Sequence, residues 1–290
     1  MTQIDCVVPG RNKLGESPVW SVREGVLYWV DSRGPAVYRY DPATGDVRSH
    51  PLPAVVGSIQ LRRSGGLIAA LQSGFHTFDF AAGTLAPLVD PEADQPENRF
   101  NDGRVDRRGR IWCGTMNDTR RDPTGSLYRL DPDHAWTKMR DDIIVPNSIC
   151  WSPDDRVMYF ADTYRHYIMA YAFDLDAGTI DGGKVIVDTA DHPGRPDGST
   201  VDAEGFLWNA EFAASRLVRY APDGRIDRTI ALPVTNATSC SFGGANLDVL
   251  YVTTATQWLS PEQIEAQPLA GSVFAVDAGV RGLPEPEYLG

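Results

Sequence analysis

Six times along this chain of 290 residues an extended segment, a tight turn and an apolar run follow one another. The turns read Trp20-Ser21-Val22-Arg23-Glu24-Gly25, Leu61-Arg62-Arg63-Ser64-Gly65-Gly66, Val105-Asp106-Arg107-Arg108-Gly109-Arg110, Trp151-Ser152-Pro153-Asp154-Asp155-Arg156, Val201-Asp202-Ala203-Glu204-Gly205-Phe206 and Phe242-Gly243-Gly244-Ala245-Asn246-Leu247. Apolar or aromatic runs follow at 26–30, 67–71, 111–114, 157–160, 207–210 and 249–252. At one shared offset ahead of the turns stand Glu16, Gly57, Asn101, Asn147, Asp197 and Thr238, at intervals of 41 to 50 residues. Strand–turn–strand units at such a period are the mark of a β-propeller. Equivalent positions in a propeller converge on one axis. Glu16, Asn101, Asn147 and Asp197 are therefore expected to form one oxygen-rich ring.

The second half of each unit also recurs. Ala36-Val37-Tyr38-Arg39-Tyr40-Asp41-Pro42, Gly125-Ser126-Leu127-Tyr128-Arg129-Leu130-Asp131-Pro132 and Arg216-Leu217-Val218-Arg219-Tyr220-Ala221-Pro222 alternate apolar and polar residues and then turn. That is the period of a half-buried strand. The expectation is an all-β chain, one six-bladed β-propeller domain over residues 1–290, with four-stranded blades around a central metal site. Cys6-Val7-Val8 is expected to add an outer strand to the last blade and close the circle, leaving no free edge there. Ser260 followed by Pro261 predicts one short helix, with Ser260 as its cap.

Composition narrows the partners. Hydrophobic residues make up 42% of the chain, enough for a core. A net charge of -12 argues against nucleic acid and against an anionic membrane surface. The first residues, Met1-Thr2-Gln3-Ile4-Asp5, show neither the basic segment nor the apolar stretch of a signal peptide. No apolar run approaches the ~18 residues of a membrane helix. A soluble, cytoplasmic monomer is expected. Cys6, Cys113, Cys150 and Cys240 lie far apart in apolar strand contexts and read as buried free thiols.

Two carboxylates and two amides on one ring suit a divalent cation, which takes hard oxygen ligands. Two carboxylates neutralise its charge, and open positions would remain for water or substrate. Asn101-Asp102-Gly103 and Pro196-Asp197-Gly198 are also good turn sequences in isolation. The shared offset favours the ring, because unpaired carboxylates facing one axis would repel each other and lose solvation. Arg99 lies two residues before Asn101, so period two puts it on the same side of its strand. No histidine falls on the ring. The five histidines lack a partner motif, and nucleophile-elbow, zinc-pair and phosphate-loop signatures are absent.

These segments resemble the gluconolactonase, regucalcin (senescence marker protein) and luciferin-regenerating-enzyme family of six-bladed propellers. The matching motifs are Gly15-Glu16-Ser17-Pro18-Val19-Trp20, Asn98-Arg99-Phe100-Asn101-Asp102-Gly103-Arg104-Val105-Asp106, Gly114-Thr115-Met116, Gly125-Ser126-Leu127-Tyr128, Pro196-Asp197-Gly198 and Ser239-Cys240-Ser241-Phe242-Gly243-Gly244. The resemblance implies one divalent metal held by Glu16, Asn147 and Asp197, with Arg99 and Asn101 on a sugar. Its identity is left open among calcium, zinc, manganese, magnesium and ferrous iron. Some family members carry a sugar-binding Glu shortly after Gly-Thr-Met. Here Asn117-Asp118-Thr119 follows, with Thr119 near that place and Asp118 as the substitute.

The reaction implied is hydrolysis of a sugar lactone, a gluconolactone or a pentonolactone, to its aldonic acid. The metal would polarise the lactone carbonyl, and Asp197 is the candidate base. A metal ligand is a weakened base, so activation of water at the metal itself stays open beside it. Two rivals share the ring: an aryl ester or organophosphate hydrolase, and a non-catalytic calcium-binding protein.

Overall fold

The alternating segments pair as antiparallel ladders in six sheets of four strands in the computed structural model, which describes residues 2–290. The innermost strands are Gly15–Ser21, Val56–Leu61, Asn98–Val105, Pro146–Trp151, Arg195–Val201 and Ala237–Gly243. Each packs against the innermost strands of both neighbouring blades, so the six make a closed ring. The fold is the six-bladed β-propeller expected from the repeat. Closure is also as expected: Ile4–Val8 pairs with Val273–Asp277 at the outer edge of the last blade.

The blades are held face to face by apolar side chains between them. Phe75 of blade two meets Phe100 of blade three at 4.3 Å between ring centroids. Trp208, Phe242 and Phe274, all buried, join blades five and six. Cys113, Cys150 and Cys240 are buried free thiols, as read from sequence. Cys6 departs from that reading and is only partly buried, because its strand is the outermost of its blade. The helix Pro261–Ala266 begins where its sequence says. Ser260 Oγ accepts from Gln263 N at 3.2 Å, and Gln263 Oε1 accepts from Ser260 N at 2.8 Å. This is a reciprocal capping box. Among the described residues no helix is long and apolar enough to cross a membrane.

The innermost strands share an irregularity. Each breaks register at the ring position: Glu16/Val19, Val56/Ser58, Phe100/Gly103, Asn147/Cys150, Pro196/Ser199 and Ala237/Ser239. A bulge inserts unpaired residues and re-aims a side chain. Six bulges at one level turn the strand starts toward the axis. Ser17 and Ser148 take φ of 50° and 58° to make the bend. Gly57 is required for another reason, since a Cβ there would stand 2.3 Å from the Phe100 carbonyl oxygen.

The repeat did not foretell the C-terminal segment. Residues 281–290 cross the end of the axis opposite the ring. Ala203 N donates to the Arg281 carbonyl and Tyr288 N to that of Leu61, both at 2.8 Å. Tyr288 is fully buried, and its hydroxyl donates to the Asp131 carbonyl at 2.8 Å. Removing a buried aromatic ring costs about 3 kcal/mol in lost transfer energy and residual cavity. Tyr288→Ala should lower unfolding stability by that amount in a denaturant titration. A loss below about 1 kcal/mol would mean the strap adds little to the fold.

Candidate metal and substrate site

At the open end of the axis, Glu16, Asn101, Asn147 and Asp197 line one cavity together with Arg99. Asn101, Asn147 and Asp197 are buried, and Glu16 is only partly buried. Thr238 occupies the equivalent place in blade six but faces away from the cavity chemistry. Its hydroxyl donates to the Gly15 carbonyl at 2.5 Å. The repeat therefore brings four polar side chains together, while the remaining two positions serve packing.

Buried carboxylates set the approach to the ring strands. Asp31 accepts from the backbone N–H groups of Lys13 and Leu14 at 2.9 and 3.0 Å, just ahead of Glu16. Asp162 does the same for Ile144 and Val145 at 2.9 and 3.1 Å, ahead of Asn147. Glu92 accepts from Asn98, Thr115 and Tyr128 and fixes the start of blade three. Charge-assisted bonds to a buried carboxylate are among the stronger local constraints.

The two amides are not equivalent. Asn147 Nδ2 donates to Thr163 Oγ1 at 2.7 Å, and that hydroxyl donates onward to the Pro196 carbonyl at 2.8 Å. This fixes the amide so that Asn147 Oδ1 belongs to the ring. Asn101 is turned the other way. Its Oδ1 accepts from Arg99 Nη1 at 2.7 Å, and its Nδ2 donates to Asn147 Oδ1 at 3.1 Å. The oxygen of Asn101 is thus occupied by an arginine, and that of Asn147 is supported by an amide donor.

Burial, then the charges of Asp197 and Asp102, push the Glu16 carboxyl well above its usual range. Burial and the charge of Asp102 do the same to Asp197, against the Gly198 N–H and Arg99. Among the described residues neither carboxylate has an ion-pair partner. Two neighbouring anions, one buried and one partly so, are costly without an ion-pair partner. A divalent cation between Glu16, Asp197 and Asn147 Oδ1 would remove that cost, so the donor set fits such an ion. Among the described residues no three His, Cys, Asp or Glu side chains cluster as a metal site, so the amide is needed to complete it.

Asp118 lies beside the ring, between two arginines. It accepts from Arg99 Nε at 2.6 Å and from Arg33 Nη1 and Nη2 at 2.8 and 2.6 Å. Sequence reading found Arg99 and Asp118 but not Arg33, which no repeat position marks. It also missed Asp102, whose oxygens accept from Gly103 N and Ile149 N and whose charge acts on both ring carboxylates. Arg195 and Arg121 line the same cavity and were missed too. The signal for Arg195 was present: it precedes Asp197 by two residues, as Arg99 precedes Asn101.

A family model described as SMP-30/Gluconolactonase/LRE-like region matches residues 14–256. A 6-deoxy-6-sulfogluconolactonase of Pseudomonas putida is 39% identical over 289 residues, covering 99% of both chains. A regucalcin of Xenopus laevis is 35% identical over 295 residues, again covering 99% of both. Among solved structures, a calcium-binding protein, regucalcin, from Agrobacterium tumefaciens superposes with a TM-score of 0.95 at 31% identity, covering 99% of this chain and 97% of that one. The repeat, the ring and these likenesses agree, and the chain belongs to the SMP-30/gluconolactonase/LRE-like family.

Proposed function

We propose that this protein is a divalent-metal-dependent lactonase that opens a sugar lactone to its aldonic acid. One observation carries the reading: two carboxylates, Asp197 buried and Glu16 partly so, with no ion-pair partner among the described residues, share a ring with an amide whose oxygen is aimed by Thr163. The relatives include a lactonase by name. In this reading Glu16, Asn147 and Asp197 are the ligands. When bound, the cation supplies Lewis acidity toward the lactone carbonyl.

The other residues position the substrate. Arg99 uses Nε on Asp118 and Nη1 on Asn101 and the Phe100 carbonyl. Among the described residues its Nη2 makes no hydrogen bond, so it can donate to a sugar hydroxyl. Asn101 is held rigid from both sides and presents its amide next to Asn147. Orientation of this kind lowers the entropy lost on reaching the transition state. Asp118 keeps a lone-pair site on Oδ2 for a hydroxyl beyond those used by its arginines. Asp197 accepts the proton released as water adds to the carbonyl and returns it to the ring oxygen as the C–O bond breaks, so that the oxygen departs as a hydroxyl group.

The deciding experiment is acid release from a panel of aldono-lactones, with metal-stripped protein and each divalent cation restored in turn. Stripping should lower turnover by about a hundredfold or more, since the polarising charge goes with the ion. Equal rates with and without metal would overturn the proposal. The carboxyl shifts add a pH dependence. Both folded-state values are raised, so the metal-free fold loses stability as pH rises through them. Metal binding needs the deprotonated forms and strengthens over the same rise. Melting curves with and without metal should therefore diverge with increasing pH. The apolar wall of Leu14, Met116, Val145, Phe212 and Trp258 supports a second reading, aryl ester or organophosphate hydrolysis. Aryl acetates in the same panel separate the two. A non-catalytic calcium-binding role would give metal binding with no acid release from any member.

A further inference from the structure

Two arginines at the cavity mouth have no counter-ion. Arg121 and Arg195 line the same cavity as Glu16, Asn147 and Asp197. Among the described residues neither lies within ion-pair distance of a carboxylate. The Arg195 side chain makes no hydrogen bond there, and Arg121 reaches only the sulfur of Met116, at 3.7 Å. Both guanidinium groups sit over one ring: Tyr164 has Arg195 Cζ at 4.5 Å and Arg121 Cζ at 5.5 Å from its centroid. Trp258 stands 6.0 Å from Arg121 Cζ.

The neighbours show how unusual this is. Arg33 and Arg99 share Asp118, Arg165 pairs with Asp142, Arg216 pairs with Glu211, and Arg120 pairs with Glu97. The chain as a whole has 39 acidic residues against 27 Lys and Arg. Carboxylates are abundant, yet none is supplied here. Cation–π contact offsets part of the repulsion between the two guanidinium groups but cannot cancel it. A divalent ion would balance Glu16 and Asp197, so the arginine pair would remain an uncompensated positive surface.

From this we infer that the substrate is a lactone bearing an anionic group, a sulfonate, phosphate or carboxylate, at the end away from its carbonyl, and that Arg121 and Arg195 bind that group. The inference rests on the lactonase reading above. Geometry supports the placement. Arg195 precedes Asp197 by two residues, at most about 7 Å along the chain, and both side chains line the one cavity although the strand bulges after Pro196. That distance is comparable to the span of a six-carbon lactone. Tyr164 and Trp258 would flank the carbon chain, while the forked guanidinium donors take the oxyanion. The anionic group is unchanged by the reaction, and the aldonate produced carries one further negative charge.

The test compares neutral gluconolactone with its 6-sulfonate, 6-phosphate and 6-carboxylate forms, using metal-loaded protein. At least one anionic lactone should exceed the neutral one in kcat/KM by about 10- to 100-fold, the worth of charge-assisted hydrogen bonds. That ratio should fall as salt is raised. R121A and R195A should each cut the ratio by about tenfold, and R121K and R195K by less. A wild-type ratio near one, or a ratio that the double alanine variant leaves in place, overturns the inference. If no lactone is opened, the lactonase reading has failed, and calorimetry decides the anion site alone. Tighter binding of at least one 6-sulfonate, 6-phosphate or 6-carboxylate aldonate than of gluconate, lost in the double variant, would uphold it; binding of all three no tighter than gluconate would overturn it.

Discussion

Asp197→Ala should abolish lactone opening, lowering kcat by about a thousandfold or more, while leaving the protein folded. Its carboxylate is the proposed ligand and base together, and each role alone is worth about a hundredfold or more. The backbone at this position is held independently. The Asp197 carbonyl accepts from Ser148 Oγ at 2.5 Å and from Asn209 Nδ2 at 3.1 Å. The bulge therefore survives the substitution. Stability should move the other way from activity. The folded state keeps this carboxyl well above its usual range through burial and the charge of Asp102. Removing it relieves the metal-free protein of a buried, repelled anion. The metal-free variant should melt no lower than the metal-free parent, with metal affinity lost in calorimetry. Turnover within tenfold of the parent would remove Asp197 from the mechanism. A sharply lowered melting temperature would instead make it a structural residue.

Much of this architecture was legible because a propeller writes the same local physics six times. The turn after each innermost strand fixed the phase of the repeat. Phase alone then put Glu16, Asn101, Asn147 and Asp197 at one level, before any pairing was known. The closing strand at Cys6 and the cap at Ser260 were legible for a similar reason, since edge closure and capping have local chemical signatures. Other features lacked such a signature. Gly57 and Thr238 share the ring offset, yet close backbone approach decides the first and a hydroxyl bond to Gly15 the second. Arg33 comes from the neighbourhood of blade one and meets Asp118 of blade three, a contact no repeat offset encodes. The distinction between the amides of Asn101 and Asn147 depends on Arg99 and Thr163, whose reach becomes visible only once the blades are assembled. The strap at 281–290 lies outside the repeat altogether.

Asp118→Ala should be among the most destabilising substitutions near the cavity, at about 3–5 kcal/mol, because it strands a buried charge. Arg99 is 3% exposed, and Asp118 is its carboxylate partner. Burial lowers the basicity of Arg99, with Arg33 and Arg121 adding to that effect, and Asp118 opposes it. Without the carboxylate, Arg33 and Arg99 lose their shared counter-charge, and the charge of Arg121 adds to the repulsion on Arg99. Arg99 would then lose its fixed position, and with it the bond that orients Asn101. Lactone kcat/KM should fall along with stability, whereas Asp118→Asn keeps the shape and loses less of both. The acid limb gives an independent check. Burial alone would raise the Asp118 carboxyl, but the Arg33 hydrogen bonds and the Arg99 charge outweigh it and hold it at about 2. An unfolded aspartate titrates near ~3.9. A depressed carboxyl contributes stability that is fully present above the unfolded value and is lost as pH falls toward the folded one. The stability gap between the parent and Asp118→Asn should therefore stay constant above about pH 5 and close progressively from there toward pH 2. A gap indifferent to pH over that interval would show that the carboxylate charge is not what holds Arg33 and Arg99 together.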